Sequence, residues 1–358
     1  MKSNSKTLGD IIKAVDERNS DEKTKEVLGI SINKEFMPSV ANIVGTDLSK
    51  YKLLRKSRFA FNSMHTGRDE RLPIALFKRD DIAIVSPAYF MFEIKSKDEV
   101  DEDYLMIWFQ RPEFDHICWY MTDASVRGGL SWDDFCRITI ELPSIEEQRK
   151  IVHDYKVIVD RIELLKKVNC NLEEEIKTLI RKSIDENGKS VLLEDYCNIF
   201  TGKKDVNQAV ADGKYNFYSC SPEPVKSNEY IYKGEAILVA GNGSYTGRTI
   251  YVNDTFDLYQ RTYAIVAKNS ESCIFYIFYA LLQTIFQDAI ESKLHGSAIP
   301  YIVYNDLAKI EAKIKGDLDF LGDAIKSILK HEHIIKNEIY ALLNIRNSLL
   351  NKLSKEVG

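Results

Sequence analysis

The chain has 358 residues, of which 44% are hydrophobic and 29% charged, and its formal net charge is -5 at pH 7. This length allows two domains of ordinary size, and the composition is that of a soluble globular protein. No run of about 18 apolar residues predicts a membrane span, and the N-terminus lacks the apolar segment of a signal peptide, so we expect a cytoplasmic protein with no membrane partner. The small negative charge neither indicates nor excludes a nucleic-acid partner.

In chain order, the first half of the sequence consists of short apolar or aromatic segments separated by glycine and polar turns. They are a Leu-acid motif at 8–11 (LGDI), strands at 56–61 and 86–92, an aromatic helix at 104–109, a glycine turn at 127–130 and a DDF segment at 133–135. Such runs, punctuated by Gly, Asn and Ser, predict a mixed α/β domain that is rich in strands.

The second half of the sequence repeats this order about 170 residues later. Its segments are a Leu-acid motif at 193–196 (LEDY), strands at 233–238 and 260–266, an aromatic helix at 275–286, a glycine turn at 295–300 and an NDL segment at 305–307. The sequence therefore predicts two copies of one strand-rich module in a mixed α+β chain.

Each copy ends in a long helix with a heptad pattern. Apolar residues recur in alternating steps of four and three over about four heptads in both helices, and the two patterns superpose when shifted along the chain. The first seam is Ile151, Tyr155, Ile158, Ile162, Leu165, Asn169, Leu172, Ile176 and Leu179, and the second is Leu321, Ile325, Ile328, Glu332, Ile335, Ile339, Leu342, Arg346 and Leu349.

These helices need a partner for their seams. The first is predicted over residues 145–183, roughly 58 Å at 1.5 Å per residue, and an isolated helix of that kind does not stay monomeric in water. The simplest partner is the other seam of the same chain, and the repeated order of module and helix predicts antiparallel pairing with the modules at opposite ends. Asn169, Glu332 and Arg346 either fix the register or lie at the solvent edge of the seam.

The predicted domain boundaries follow from this layout. Residues 1–142 and 187–314 form the two modules, and residues 143–186 and 315–358 form the two helices. The polar, glycine-containing stretch at 185–189 (DENGK) marks the end of the first helix.

The start of the first helix carries a family resemblance. Residues 142–152 (LPSIEEQRKIV) resemble the LPP-x-x-EQ-x-KI opening of the conserved helix in type I restriction-modification specificity subunits. Residues 87–89 (PAY) and 296–300 (GSAIP) also resemble signatures of that family's target-recognition domains. The resemblance covers the whole chain, although the second copy has KGDL at 315–318 and lacks the EQ pair.

The resemblance implies a function for this architecture. Members of the family are not enzymes and need no cofactor of their own. Each target-recognition domain reads one half of a split double-stranded DNA sequence, and the helices set the spacer between the halves. The helices also dock two methylation subunits, which carry S-adenosylmethionine and through which restriction subunits join the complex.

Catalytic and metal sites have weak support in the sequence. The SPAY segment at 86–89 lacks the second proline of an adenine-methyltransferase motif, and residues 240–247 (AGNGSYTG) favour a strand-turn-strand arrangement over a phosphate-binding loop. The six cysteines form no CxxC pair and are predicted to be reduced and structural. His331 and His333 do not share a helix face, so we expect no metal site.

DNA contact has stronger support. Basic side chains can neutralise phosphates, and Asn, Ser or His side chains beside them can reach base edges, although a solvated basic surface remains an alternative. The candidates in the first module are Lys52, Arg55, Asn62, Ser63, His65, Arg68, Arg71 and Arg127, and those in the second are Lys203, Lys204, Asn242, Ser244, Arg248, Arg261 and His295.

Two other classes of protein remain open. A coiled-coil scaffold with two protein-binding modules would bind no DNA even at low salt. A self-sufficient methyltransferase would need a cofactor loop and a catalytic motif that the sequence does not show.

Overall fold

A computed structural model divides the chain into two compact units. The first comprises Met1–Glu163 together with Tyr340–Gly358, and the second comprises Leu164–Ile339. The structure describes residues 5–41, 43, 45–122, 129–293 and 300–355. Each unit therefore contains one strand-rich domain and part of each long helix.

The first unit begins with many short elements that end in the first long helix. They are β1 (Ser5–Thr7), α1 (Leu8–Ile11), β2 (Ile12–Ala14), β3 (Leu28–Ile30), β4 (Phe36–Pro38), β5 (Lys52–Leu54), β6 (Arg58–Phe61), α2 (Thr66–Asp69), β7 (Ile74–Phe77), β8 (Ala83–Val85), β9 (Phe90–Ile94), α3 (Glu102–Phe109), α4 (Pro112–Thr122), α5 (Trp132–Arg137), β10 (Thr139–Glu141) and α6 (Ile145–Ser183).

The second unit has fewer and longer strands, and α6 ends within it. Its elements are β11 (Ile184–Leu192), α7 (Leu193–Tyr196), β12 (Cys197–Thr201), β13 (Tyr215–Tyr218), β14 (Val225–Ser227), β15 (Tyr232–Ala240), β16 (Thr249–Leu258), β17 (Thr262–Ala267), α8 (Ile274–Lys293), α9 (Tyr304–Ala308), β18 (Glu311–Ile314) and α10 (Leu318–Lys355).

The two domains share one sheet topology, which confirms the internal repeat. In the first domain four strands lie in the order β2-β9-β6-β7, and in the second the corresponding order β12-β17-β15-β16 is extended by β13 and β14. In each domain a separate two-stranded sheet, β1-β10 or β11-β18, joins the chain entering the domain to the chain leaving it. The short helices α1 and α7 are the two Leu-acid motifs, and α5 and α9 contain the DDF and NDL segments.

Apolar side chains of the sheets pack against helices in both cores. In the first domain Phe59 and Phe92 face each other across the β6–β9 pair, with ring centroids 4.8 Å apart, and Phe109 of α3 packs edge-on against both. In the second domain Ile237 and Ile265 are buried against the aromatic face of α8. The apolar runs that predicted these strands are buried nearly continuously, as in β6 and the second half of β15.

The start of α6 shows what the EQ motif does. Ser144 and Glu147 form a capping box, in which the Glu147 amide donates to Ser144 Oγ (3.3 Å) and the Ser144 amide donates to Glu147 Oε2 (3.1 Å). Gln148 is fully buried, and its amide bonds the main chain of Glu99, Asp101 and Pro143. This pair therefore caps the helix and fixes it to the first domain.

The second long helix begins in a different way. Asp317 accepts hydrogen bonds from the amides of Asp319 (2.9 Å) and Phe320 (3.1 Å), so one carboxylate caps α10 where α6 uses a Ser and a Glu. Because α10 lacks the EQ pair, it has a capped N-terminus but no counterpart of Gln148 that bonds the helix to its domain.

The long helices run antiparallel within each unit. In the second unit the Lys315 amide donates to the Ser183 carbonyl (2.8 Å) where α6 ends and α10 is about to begin, and Glu173 and Glu332 lie close further along. In the first unit Leu350 belongs to the core against which Ile151 packs. Every seam residue in the two predicted heptad patterns is buried or half-buried. The predicted pairing is confirmed.

Of the three polar seam residues, Glu332 is buried, whereas Asn169 and Arg346 are half-buried. Asn169 donates to Glu173 (2.8 Å), Glu332 is buried and accepts from Lys336 (3.2 Å), and Arg346 lies half-buried near Tyr155. One polar atom of each has no hydrogen-bond partner within the described part of the chain. Burial of unpaired polar atoms in an apolar seam costs stability and favours a single register.

The first long helix ends just before the polar stretch at 185–189. The stretch at 185–189 lies within β11, where the register shifts between Ile184 and Lys189, so the helix ends directly in a strand.

No helix among the described residues is long and apolar enough to cross a membrane.

Candidate nucleic-acid interface

In the second domain four segments meet at one end of the sheet. The Gly241 amide donates to the Arg261 carbonyl (2.9 Å), and the Ile302 amide donates to the Gly241 carbonyl (2.8 Å). The Gln260 amide donates to the Lys204 carbonyl (3.0 Å). The ends of β12, β15 and β16 and the segment around Ile302 are therefore joined by main-chain hydrogen bonds into one rigid surface.

Two glycines allow this close approach. A Cβ atom on Gly202 would lie 1.6 Å from the carbonyl oxygen of Leu258, and one on Gly241 would lie 2.4 Å from the carbonyl oxygen of Arg261. Neither distance is possible for a side chain, so glycine is required at both positions.

These segments line an open cavity of about 410 Å³. Its lining is Asp205, Asn242, Tyr259, Gln260, Arg261 and Tyr301. Of the predicted contact residues, Asn242 and Arg261 lie in this lining. The Arg261 side chain is exposed, whereas Asn242 accepts a hydrogen bond from Cys220 Sγ (3.2 Å).

The remaining predicted residues of this domain fall into two groups. Lys203 and Ser244 are exposed. Lys204 forms ion pairs with Asp257 (2.7 Å) and Glu229 (2.7 Å), and the hydrogen bond to Asp257 is the main reason that its pKa is raised. Arg248 is half-buried, which lowers its pKa, and it donates to the carbonyls of Ser221 and Pro222. Lys204 and Arg248 therefore hold the loops together.

The corresponding end of the first domain brings two predicted segments together. Asn62 accepts from the Met64 amide (3.1 Å), and Ser63 is buried. A Cβ on Gly129 would lie 3.5 Å from the Ser63 carbonyl, so the loop after β6 and the glycine turn are neighbours. Arg71 is exposed at the end of this loop.

Four predicted contacts of the site lie outside the described part of the structure. They are Arg127 and His295 and the side chains of His65 and Arg68.

Three neighbouring basic side chains of the first domain, Lys52, Arg55 and Arg58, form ion pairs with acids from other segments. Lys52 is buried and pairs with Asp16 (3.0 Å). Arg55 binds both oxygens of Glu17, and this hydrogen bonding lowers the pKa of Glu17 to about 2. Arg58 bridges Glu17 (2.7 Å) and Glu93 (2.9 Å). Arg55 keeps 41% of its side chain exposed, whereas the ammonium group of Lys52 is used in an ion pair within the domain.

The segments with weak chemical resemblance have structural explanations. Residues 86–89 form a turn in which the Tyr89 amide donates to the Ser86 carbonyl (3.1 Å). Gly243 adopts φ +83° in the turn between β15 and β16, so the predicted strand-turn-strand arrangement is confirmed and no helix follows the loop. Within the described ranges no group of three His, Cys, Asp or Glu side chains is arranged to hold a metal ion.

Several residues of the cavity lining could not be predicted from the sequence. Asp205, Tyr259 and Tyr301 lie far apart in sequence, and only the Asn242–Tyr301 bridge and the main-chain bonds around Lys204 bring them together. No local pattern marks them. Gln260 directly precedes the predicted contact Arg261, and the structure places both in one turn.

Comparison with known proteins adds to these observations. Residues 186–314 match the family model "Type I restriction modification DNA specificity domain". A stretch of 133 residues is 34% identical to the Type I restriction enzyme EcoDI specificity subunit of Escherichia coli. This match covers 35% of the chain and 27% of the length of that relative.

One solved structure extends the similarity in fold to nearly the whole chain. The type I restriction-modification S subunit from M. genitalium superposes with a TM-score of 0.65 at 15% identity, covering 98% of this chain and 96% of that one, which shows a shared fold. The HsdS subunit from Thermoanaerobacter tengcongensis, also 15% identical, covers 98% of this chain and 96% of its own length, with a TM-score of 0.39. The resemblance to type I specificity subunits is confirmed.

Proposed function

We propose that this chain is the sequence-reading subunit of a type I restriction-modification complex, because residues 186–314 match the model of the type I restriction modification DNA specificity domain. In this proposal each strand-rich domain binds one half of a bipartite double-stranded DNA target, and the antiparallel helices set the spacer. The chain itself performs no catalysis.

The observation that carries the proposal is the surface at the end of the second sheet. Gln260 and Arg261 are exposed in the lining of the cavity, and Lys203 and Ser244 are exposed on two of the other segments, whose main chain is fixed by hydrogen bonds. Phosphate contacts need exposed cations, and base readout needs polar side chains held on a rigid support. The same sheet topology in the first domain supports a second reading surface there.

The partner subunits belong to the same proposal. Two methylation subunits would dock on the long helices and carry S-adenosylmethionine, and restriction subunits would join through them. Apolar side chains on the outer faces of the helices support a protein partner, because Leu164 (53% exposed) and Ile334 (61% exposed) lie away from the seam.

A domain exchange tests the proposal. The chain would be expressed with the methylation subunit encoded beside it, and methylated sites would be mapped by sequencing. Replacing residues 190–310 with those of a related specificity domain should change one half of the methylated sequence and leave the other half unaltered. An exchange that alters both halves would show that the domains do not read independently. A chain that binds no DNA even at low salt would instead be a scaffold.

The spacer is tested separately. Inserting one heptad after Leu165 and one after Ile335 keeps both seams in phase and lengthens each helix by roughly 10 Å. That length corresponds to about three base pairs, so the altered chain should no longer bind the original target. Unchanged recognition of the original spacer would show that the helices do not set the distance between the half-sites.

A further inference from the structure

The Tyr259–Thr262 turn carries two adjacent exposed side chains that can form hydrogen bonds with the edges of DNA bases. Resting on the proposed function, we propose that Gln260 and Arg261 determine the sequence of the half-site read by the second domain, with Gln260 selecting an adenine and Arg261 a guanine. Asp205 is the positioning residue for Gln260.

The main chain of this turn is held from several sides. The Thr262 amide donates to the Tyr259 carbonyl (3.0 Å), which closes the turn, and the Gln260 amide donates to Lys204. The Arg261 carbonyl accepts from the Gly241 amide and from Cys220 Sγ (3.4 Å). Both side chains are exposed although their main chain is fixed. Such an arrangement lowers the entropy lost when a base pair is bound.

Asp205 selects one orientation of the Gln260 amide. Gln260 Nε2 donates to Asp205 Oδ2 (3.1 Å), and Asp205 is itself fixed because its Oδ1 accepts from the Asn207 amide (3.3 Å). A carboxylate only accepts hydrogen bonds, so it requires the amino group of Gln260 to face it. Gln260 Oε1 and the second amino hydrogen remain for a ligand. This donor–acceptor pair matches N7 and the 6-amino group of adenine.

Arg261 complements this amide. Its guanidinium makes no hydrogen bond or ion pair with the part of the chain that the structure describes, and it lies at the mouth of the cavity. A planar guanidinium binds O6 and N7 of guanine in a bidentate manner. Tyr301, with 44% of its side chain exposed, forms an adjacent wall.

The first domain lacks this pair. The turn before the corresponding strand β9 presents Pro87 and Ala88, which have no side-chain donor. The assignment therefore applies to one half of the target alone.

The test is a binding-site selection with the complete methylation complex. Double-stranded DNA with the second half-site randomised would be bound, recovered and sequenced for the wild type and for the variants Gln260→Ala, Arg261→Ala and Asp205→Asn. Arg261→Ala should lose preference for guanine at one position and weaken binding to the best site by about 10-fold to 100-fold. Gln260→Ala should lose preference for adenine at another position.

Asp205→Asn separates positioning from contact. Its new amino group would face Gln260 and turn the amide over, so the adenine preference should fall while affinity for the remaining positions is kept. Melting temperatures would verify that each variant is folded. Lys203→Ala is the matched control, because loss of an exposed phosphate ligand should weaken all sites equally.

The outcomes distinguish the two levels of the proposal. A wild-type complex that selects no sequence contradicts the proposed function. A wild-type complex that selects a bipartite sequence, combined with variants that keep every base preference, contradicts the assignment of Gln260 and Arg261.

Discussion

The two strand-rich domains share a sheet but use their basic side chains differently. In the first domain Lys52, Arg55 and Arg58 come from a short basic run and bind Asp16, Glu17 and Glu93. In the second domain the exposed Lys203 and Arg261 lie at the end of the sheet, while Lys204, next in sequence, is held by two acids. The number of basic residues in a segment therefore does not show which of their side chains remain exposed to bind a polyanion.

The largest expected effect breaks the ion-pair network of the first domain. Arg58→Met would leave Glu17 and Glu93 without their shared guanidinium, whose side chain is 10% exposed. We expect the free energy of unfolding of this domain to fall by about 3 kcal/mol. Hydrogen exchange of the β6 and β9 amides with increasing denaturant would measure it.

The matched control is the same substitution in the other domain. Arg261→Met removes an exposed guanidinium and should change stability by no more than about 0.5 kcal/mol. Equal losses in the two variants would show that the domains do not differ as described.

A neighbouring pair of lysines sharpens the comparison within the second domain. Lys203→Met should weaken DNA binding by about 1.5 kcal/mol and reduce the slope of log K against log salt by about one unit. Lys204→Met should leave that slope unchanged, and should lower stability because Asp257 loses a charged partner. Fluorescence anisotropy at several salt concentrations and a thermal melt distinguish the two. A reduced slope for Lys204→Met would mean that its ammonium leaves Asp257 to bind phosphate.

In the second unit a buried acid of the helix seam should respond to pH in an unusual direction. Burial raises the pKa of Glu332, whose side chain is 3% exposed, Lys336 opposes this shift, and Glu173 adds to it. A carboxyl with a raised folded-state pKa contributes stability below its unfolded pKa and loses it as pH rises through the folded pKa. We expect Glu332→Gln to stabilise the second unit by about 1 kcal/mol at pH 7. Denaturant titrations at pH 5 and pH 7 would measure this, with the exposed Glu175→Gln as the control; a loss of stability at pH 7 would contradict it.

The smallest expected effect is the opposite pH response in the first domain. The pKa of Glu17 is lowered to about 2, chiefly by its hydrogen bonds to Arg55. Its contribution is present above the unfolded pKa and is lost as pH falls from about 4.5 towards 2. Since 35% of the Glu17 side chain is exposed, solvent screening limits the contribution to less than about 1 kcal/mol. Glu17→Gln should therefore make the free energy of unfolding decrease less as pH falls from about 4.5 towards 2. An unchanged decrease would show that the Arg55–Glu17 ion pair does not cause it.

Much of the fold could be predicted from the sequence. The repeat, both helix seams and the turn at Gly243 depend on periodicity and on residues close in sequence, and the structure confirms them. The strands predicted at 86–92 and 260–266 begin only at Phe90 and Thr262, because the residues before them form turns. The capping box of Ser144 and Glu147 is local in the same sense. The polar seam residues could be recognised too, although their burial could not, because it depends on the facing helix.

The sequence by itself determined the order of the elements and carried the family resemblance, because hydrophobic spacing and short motifs act over a few residues. Only the tertiary structure decided which charged side chains remain exposed. The acids that bind Arg55 and Arg58 lie 38 and 35 residues away in the chain, and the cavity at Arg261 is lined by segments from Asp205 to Tyr301. Ion pairing and concave surfaces depend on distances in space, and those distances exist only once the strands have paired.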